Sequence, residues 1–193
     1  TFVSFIQQRG RWATGMMQLL ILKNPLRGKG LSMTQRLCYL NSMTFWLFPL
    51  VRMTFILAPL AYLFFGLQIF VATIGEVAVY MTSYMAVNFM IQNALYGKVR
   101  WPLVSEIYET AQAPYLSSAI FKTIANPRGA KFNVTAKDEV LEEDFISPIF
   151  KPLLAIFALT LLGVVAAAVR WVMFPGDHNI IMVVGGWAVY NFL

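Results

Sequence analysis

Residues 42–74 form one predominantly apolar run, about 33 residues long, that only Pro49, Arg52 and Pro59 interrupt. A helix crosses the hydrocarbon of a bilayer in about 20 residues, so this run exceeds one span. It predicts an interfacial or kinked entry followed by a crossing over 55–74, with Gly75 and Glu76 as a tight outer turn. Residues 77–95 then return, and 148–169 make a third crossing. A fourth begins at Ile180, and the 14 residues left are too few to complete it, which predicts a piece of a longer protein. Composition agrees with this reading. The chain is 59% hydrophobic and 12% charged, against about 25% charged in soluble domains, with a mean hydropathy of +0.64. The expected fold is an all-α integral membrane protein with about four transmembrane helices, amphipathic cytoplasmic interface helices and a gating loop. Four segments are expected: 1–41, interface helices; 42–95, a transmembrane pair; 96–147, an interface helix and loop; and 148–193, a second transmembrane pair, the last member truncated.

Charge placement orients the spans. Residues 1–41 hold Arg9, Arg11, Lys23, Arg27, Lys29 and Arg36 and no acid, and 96–147 hold six more basic residues. These are 12 of the 15 lysines and arginines. The positive-inside rule makes both segments cytoplasmic, a better account of the cluster than nucleic-acid binding. Residues 13–22 and 31–41 read as helices in the cytoplasmic interface, separated by a break over 23–30. Residues 101–125 read as an amphipathic interface helix, bent or not at Pro114. Cys38 is the only cysteine, so no intrachain disulfide exists, and its apolar neighbours predict a buried thiol. His178, the only histidine, lies beside Pro175-Gly176-Asp177 and predicts a solvated loop position rather than a metal ligand.

Two motifs carry chemistry. Gln8-Arg9-Gly10-Arg11-Trp12 places an amide, a guanidinium and an indole in little more than one helical turn. An arginine pairs with a diphosphate through charge-assisted bonds, and an indole face suits a pyranose ring. The same residues also fit an interface helix with a snorkelling arginine and an anchoring tryptophan. Phe132-Asn133-Val134-Thr135-Ala136-Lys137 lies in a polar loop over 126–147, where a hydroxyl and a lysine suit closure over phosphates. An ordinary connector between spans is the plainer reading of that loop.

Gln-x-x-Arg-Trp resembles the signature of processive glycosyltransferases. Phe-x-Val-Thr-x-Lys is similar to the gating loop of bacterial cellulose synthases. Residues 35–41 and 101–109 extend the likeness to the catalytic subunit of that family over essentially the whole chain. The resemblance implies contact of Gln8, Arg11, Phe132, Val134, Thr135 and Lys137 with UDP-glucose or UDP, and a platform at Trp12 for the acceptor end of the glucan. The family's catalytic acids lie in Asp-x-Asp and Thr-Glu-Asp motifs that these 193 residues lack, so no catalytic residue is expected in this chain. Mg²⁺ would be held mainly by the rest of the catalytic subunit, and c-di-GMP would activate through a PilZ domain elsewhere. Implied partners are that remainder, a periplasmic membrane-anchored subunit and the bilayer of a bacterial inner membrane. A charge inside an apolar run faces a bundle interior or a wet cavity. Arg52, with Phe45, Tyr62, Phe70 and Trp187, is therefore a candidate lining for a glucan channel, while core or lipid-facing aromatics are the alternative. Hyaluronan or chitin synthases, or a non-catalytic transporter or channel module, remain alternatives; no internal repeat favours the last.

Overall fold

A computed structural model describes residues 1–68, 72–99, 101–129, 147 and 149–193. Every regular element among them is a helix. In chain order these are α1 (Phe2–Leu22), α2 (Met33–Thr44), α3 (Phe48–Phe65), α4 (Ile74–Tyr96), α5 (Pro102–Ala125), α6 (Phe150–Met173) and α7 (His178–Phe192). Short 3₁₀ turns occupy Pro25–Arg27, Phe45–Leu47 and Pro175–Asp177. Among the described residues three stretches are long and apolar enough to cross a membrane: Met33–Phe65, Ile74–Tyr96 and Phe150–Met173. The 15-residue α7 spans about 22 Å at ~1.5 Å per residue, short of the ~30 Å hydrocarbon core.

The helix ends correct several expectations. The crossing expected over 55–74 lies earlier, because α3 stops at Phe65. Gly66 turns the chain there at φ 71°, and Leu67 N–H reaches back to the Ala61 carbonyl at 3.3 Å. Gly75 and Glu76 are not an outer turn but the first turn of α4. Thr73 caps that helix, its hydroxyl accepting from Glu76 N–H at 3.3 Å while the Glu76 carboxylate accepts from Thr73 N–H at 2.8 Å. The first motif lies inside α1 rather than ahead of a helix. Helix α5 runs unbroken through Pro114. Cys38 is exposed, because the apolar residues beside it on α2 do not face a core. His178 starts α7, with its ring stacked on Trp171 at 4.0 Å and Nε2 2.9 Å from the Trp171 carbonyl.

The chain forms two compact units. The first comprises Thr1–Met53 and Glu109–Leu153. Its core joins Ala13 and Met17 of α1, Trp46 of the 3₁₀ turn, and Leu116 and Ile120 of α5. The i, i+4 spacing on both helices sets these side chains on single faces. Each large one contributes ~1.5–3 kcal/mol over its exposed state. The Tyr115 hydroxyl donates to the Ile149 carbonyl, and Ser32 with Gln35 forms the capping box that starts α2.

The second unit comprises Thr54–Tyr108 and Leu154–Leu193. Its core joins Tyr62 and Leu63 of α3 to Ile181, Val184 and Ala188 of α7, with Val164, Ala166 and Ala167 of α6 against them. Small residues allow the close approach. A Cβ on Gly163 would collide with Leu60, and one on Gly185 would stand 3.2 Å from Ala167 Cβ. Arg170 Nε donates to the Leu63 carbonyl at 2.7 Å, satisfying an acceptor in the last turn of α3. The Arg170 guanidinium also lies over Tyr62 at 5.0 Å and Phe174 at 5.3 Å. Pro59 offers no N–H to the Phe55 carbonyl one turn earlier, and Asn191 of α7 donates to that carbonyl at 3.1 Å. Helix α4 buries none of its residues.

Candidate functional site

The first unit builds one open cleft, of about 790 Å³. It begins with a continuous α1, capped where the Thr1 hydroxyl accepts from Ser4 N–H at 3.2 Å. Helical spacing then sets Gln8, Arg11, Trp12, Gly15 and Leu19 along one side. Arg11, Trp12, Gly15 and Leu19 line the cleft, with Gly15 leaving its floor free of a side chain. Trp46, Pro127 and Arg128 complete the wall. Gln18 Nε2 donates to the Pro127 carbonyl at 2.8 Å, which fastens the chain after α5 to α1.

The lining is chemically biased. Arg11, Lys23 and Arg128 bring three cations and no acid to a wall that, apart from Gln18, is otherwise apolar and aromatic. Trp12 is 49% exposed and stands edge-on to Trp46, ring centroids 6.2 Å apart. A half-exposed indole beside cationic groups offers a stacking face and anion contacts together. Gln8 is exposed one turn before Trp12 and is not part of the cleft wall.

Behind the cleft lies an arginine that sequence reading passed over. Arg9 Nε donates to Gln112 Oε1 at 3.0 Å, and Gln112 is 2% exposed. The Arg9 guanidinium sits 4.9 Å from the Trp46 ring centre, 5.9 Å from Phe5 and 6.0 Å from Trp12. Burial lowers the Arg9 pKa, and the charge of Glu109 partly restores it. Glu109 Oε2 also lies 3.6 Å from Arg52 Nη2. Glu109 and Gln112 are one turn apart on α5, so one face of that helix meets both arginines.

The remaining sequence candidates fall as follows. Phe45 is exposed, edge-on to Trp46 at 6.3 Å and 5.6 Å from Phe48. Phe45 and Arg52 thus belong to the first unit. Tyr62 and Trp187 belong to the second, where both line a cavity of about 10 Å³, room for about one water and not for a sugar ring. The Tyr62 hydroxyl donates to Asp177 Oδ2 at 3.4 Å, and Trp187 packs 4.7 Å from Phe55. Phe70, Phe132, Val134, Thr135 and Lys137 lie outside the described residues. The residues missed were Arg9, Trp46, Gln112 and Arg128. Only Arg9 carried a sequence signal, as a member of the motif. Among the described residues no group of three or more His, Cys, Asp or Glu could hold a metal ion.

No family model matches the sequence. The chain is similar to the cellulose synthase catalytic subunit (UDP-forming) of Pseudomonas fluorescens strain SBW25. The identity is 33% over 192 residues, 97% of this chain and 26% of that protein. It is similar to cellulose synthase 2 of Novacetimonas hansenii, 38% identical over 162 residues, 84% of this chain and 10% of that one. It is also similar to the catalytic subunit of Komagataeibacter sucrofermentans, 41% identical over 139 residues, 72% of this chain and 18% of that one. The chain therefore spans about a quarter or less of the length of these relatives. With such identity across most of its length, the chain belongs to the bacterial cellulose synthases, as a portion of the catalytic subunit.

Proposed function

We propose that this chain is the C-terminal membrane portion of a catalytic subunit that elongates β-1,4-glucan from UDP-glucose and passes it across the bacterial inner membrane. The observation that carries the reading is the cleft, with the half-exposed Trp12 ring beside Arg11, Lys23 and Arg128. Arg11 would pair with the diphosphate of the donor or of UDP, and the other two cations would add positive potential. Trp12 would stack under the terminal sugar of the acceptor and fix its hydroxyl toward the donor. Gln8 would hydrogen-bond the donor at the cleft's edge. Phe132, Val134, Thr135 and Lys137 would close over the nucleotide. The inverting step itself would use acids outside these 193 residues. The described residues do not fit a magnesium site, so Mg²⁺ would also be held elsewhere and no step here runs through it.

The path for the product is part of the same proposal. Phe45 and Arg52 in the first unit would offer a ring face and a guanidinium to an uncharged glucan. Helix α7 would supply the start of a fourth span. The periplasmic subunit and c-di-GMP would act through surfaces outside this chain.

The test is Trp12→Ala in the complete enzyme. Incorporation of labelled glucose into insoluble polymer, in membrane vesicles with matched protein levels, is expected to fall to background. Near-normal incorporation would reject the platform and leave Trp12 an interface anchor.

A further inference from the structure

The motif contains two arginines, and they face different ways. Arg11 lines the cleft. Arg9, two positions earlier, is turned about 200° around the helix and does not line it. Its guanidinium is occupied from three sides by Trp46, Phe5 and Trp12, at 4.9, 5.9 and 6.0 Å. Its Nε is bonded to Gln112, a side chain almost wholly withdrawn from solvent. A buried amide oxygen that accepts a charged donor in a fixed direction leaves the guanidinium plane little freedom. A cation under an aromatic face fixes the ring above it, and Trp46 stands edge-on to Trp12. The chain of contact thus runs from Gln112 on α5, through Arg9, to both indoles of the cleft.

We propose that Arg9 is a positioning residue: gripped by Gln112 and set against Trp46, it holds the Trp12 ring at the attitude on which an acceptor sugar stacks. The inference rests on the platform reading of Trp12 and adds what fixes the platform. Arg9 touches neither nucleotide nor sugar, so its loss acts on the orientation of the acceptor and not on donor affinity. A ring that tilts misplaces the attacking hydroxyl, which a near-attack geometry tolerates poorly.

Two measurements on the complete enzyme in nanodiscs test this. The first needs no activity. With 5-fluorotryptophan incorporated, the Trp12 and Trp46 ¹⁹F resonances are assigned by difference from Trp12→Phe and Trp46→Phe. Arg9→Met is expected to move or broaden both and to leave those of Trp171 and Trp187 in place. An unmoved Trp12 resonance overturns the proposal, whatever the activity. The second is steady-state transfer from UDP-glucose. Arg9→Met is expected to lower kcat by roughly tenfold to a hundredfold with KM for UDP-glucose within about twofold. Gln112→Leu is expected to repeat that pattern more weakly, and Arg9→Lys to fall between, since lysine keeps the charge but not the fork. A raised KM with unchanged kcat would make Arg9 a donor ligand and overturn the proposal, and unchanged kcat and KM would overturn it equally. If Trp12→Ala itself leaves synthesis intact, the platform reading fails, and the fluorine spectra still decide whether Arg9 sets the ring.

Discussion

Each unit holds one arginine surrounded by aromatic rings, and the two arginines do opposite things. In the first unit Arg9 donates to a side chain, Gln112, and lies 6.0 Å from Trp12, a ring half exposed beside a cationic cleft. In the second unit Arg170 donates to a backbone carbonyl, Leu63, and its rings, Tyr62 and Phe174, lie against helix ends. One arrangement adjoins an exposed ring in an open cleft; the other satisfies a carbonyl in the last turn of a helix. Packing differs in parallel. The first unit relies on large side chains such as Met17, Leu116 and Ile120, whose burial from water is itself stabilising. The second also packs small residues, Gly163, Gly185, Ala167 and Ala188, beside Tyr62, Leu63, Ile181 and Val184, and gains from their close contact. The same residue chemistry therefore adjoins an open cleft in one unit and a helix end in the other.

That contrast can be broken by substitutions read through hydrogen exchange within each unit of the complete enzyme. The largest effect is expected from Met17→Ala, at ~2–5 kcal/mol of lost protection in α1 and α5 and little change in α6 or α7. Equal loss in both units would mean that they unfold as one body and would dissolve the comparison. Arg170→Met should cost ~1–3 kcal/mol, seen as faster exchange at the end of α3, with KM and kcat near wild type. A fall in kcat to match Arg9→Met would give Arg170 a functional role and erase the distinction. Smallest are the two capping boxes. Ser32→Ala in the first unit and Thr73→Ala in the second should each cost ~1 kcal/mol, confined to the first turn of α2 or α4. Spread of either effect along the helix would show that its start is less independent than the hydrogen bonds imply.

The spans were legible because their signal is local. Apolar runs of membrane length predicted helices near Ile74–Tyr96 and Phe150–Met173, while the crossing expected over 55–74 falls instead within Met33–Phe65. Their ends were less so: Thr73-Ile74-Gly75-Glu76 contains both a glycine that suggests a turn and a capping box that starts a helix, and the box prevailed through two reciprocal bonds. Arg11 and Trp12 could be singled out from the motif. Arg9 could not be told from Arg11, because their difference depends on where α5 lies, and Gln112 is 103 positions away. Trp46 and Arg128 carry no local mark; Trp46 reaches the cleft by packing with Ala13 and Met17, and Arg128 when the chain after α5 is fastened to α1 through Gln18 and Pro127. Cys38 and His178 were misread for the same reason, since apolar or turn-forming neighbours in sequence do not fix what lies beside a residue in space.

The bond from Asn191 to the Phe55 carbonyl also sets an order of events during synthesis. Pro59 deprives that carbonyl of its helical donor, and the replacement is 136 residues further along the chain. At ~5–20 residues per second, translation reaches Asn191 roughly 7–27 s after Phe55. During that interval α3 must wait at the lipid boundary, borrow water, or be sheltered by the insertion machinery. The proline thus leaves α3 with one carbonyl whose partner is made only when α7 is.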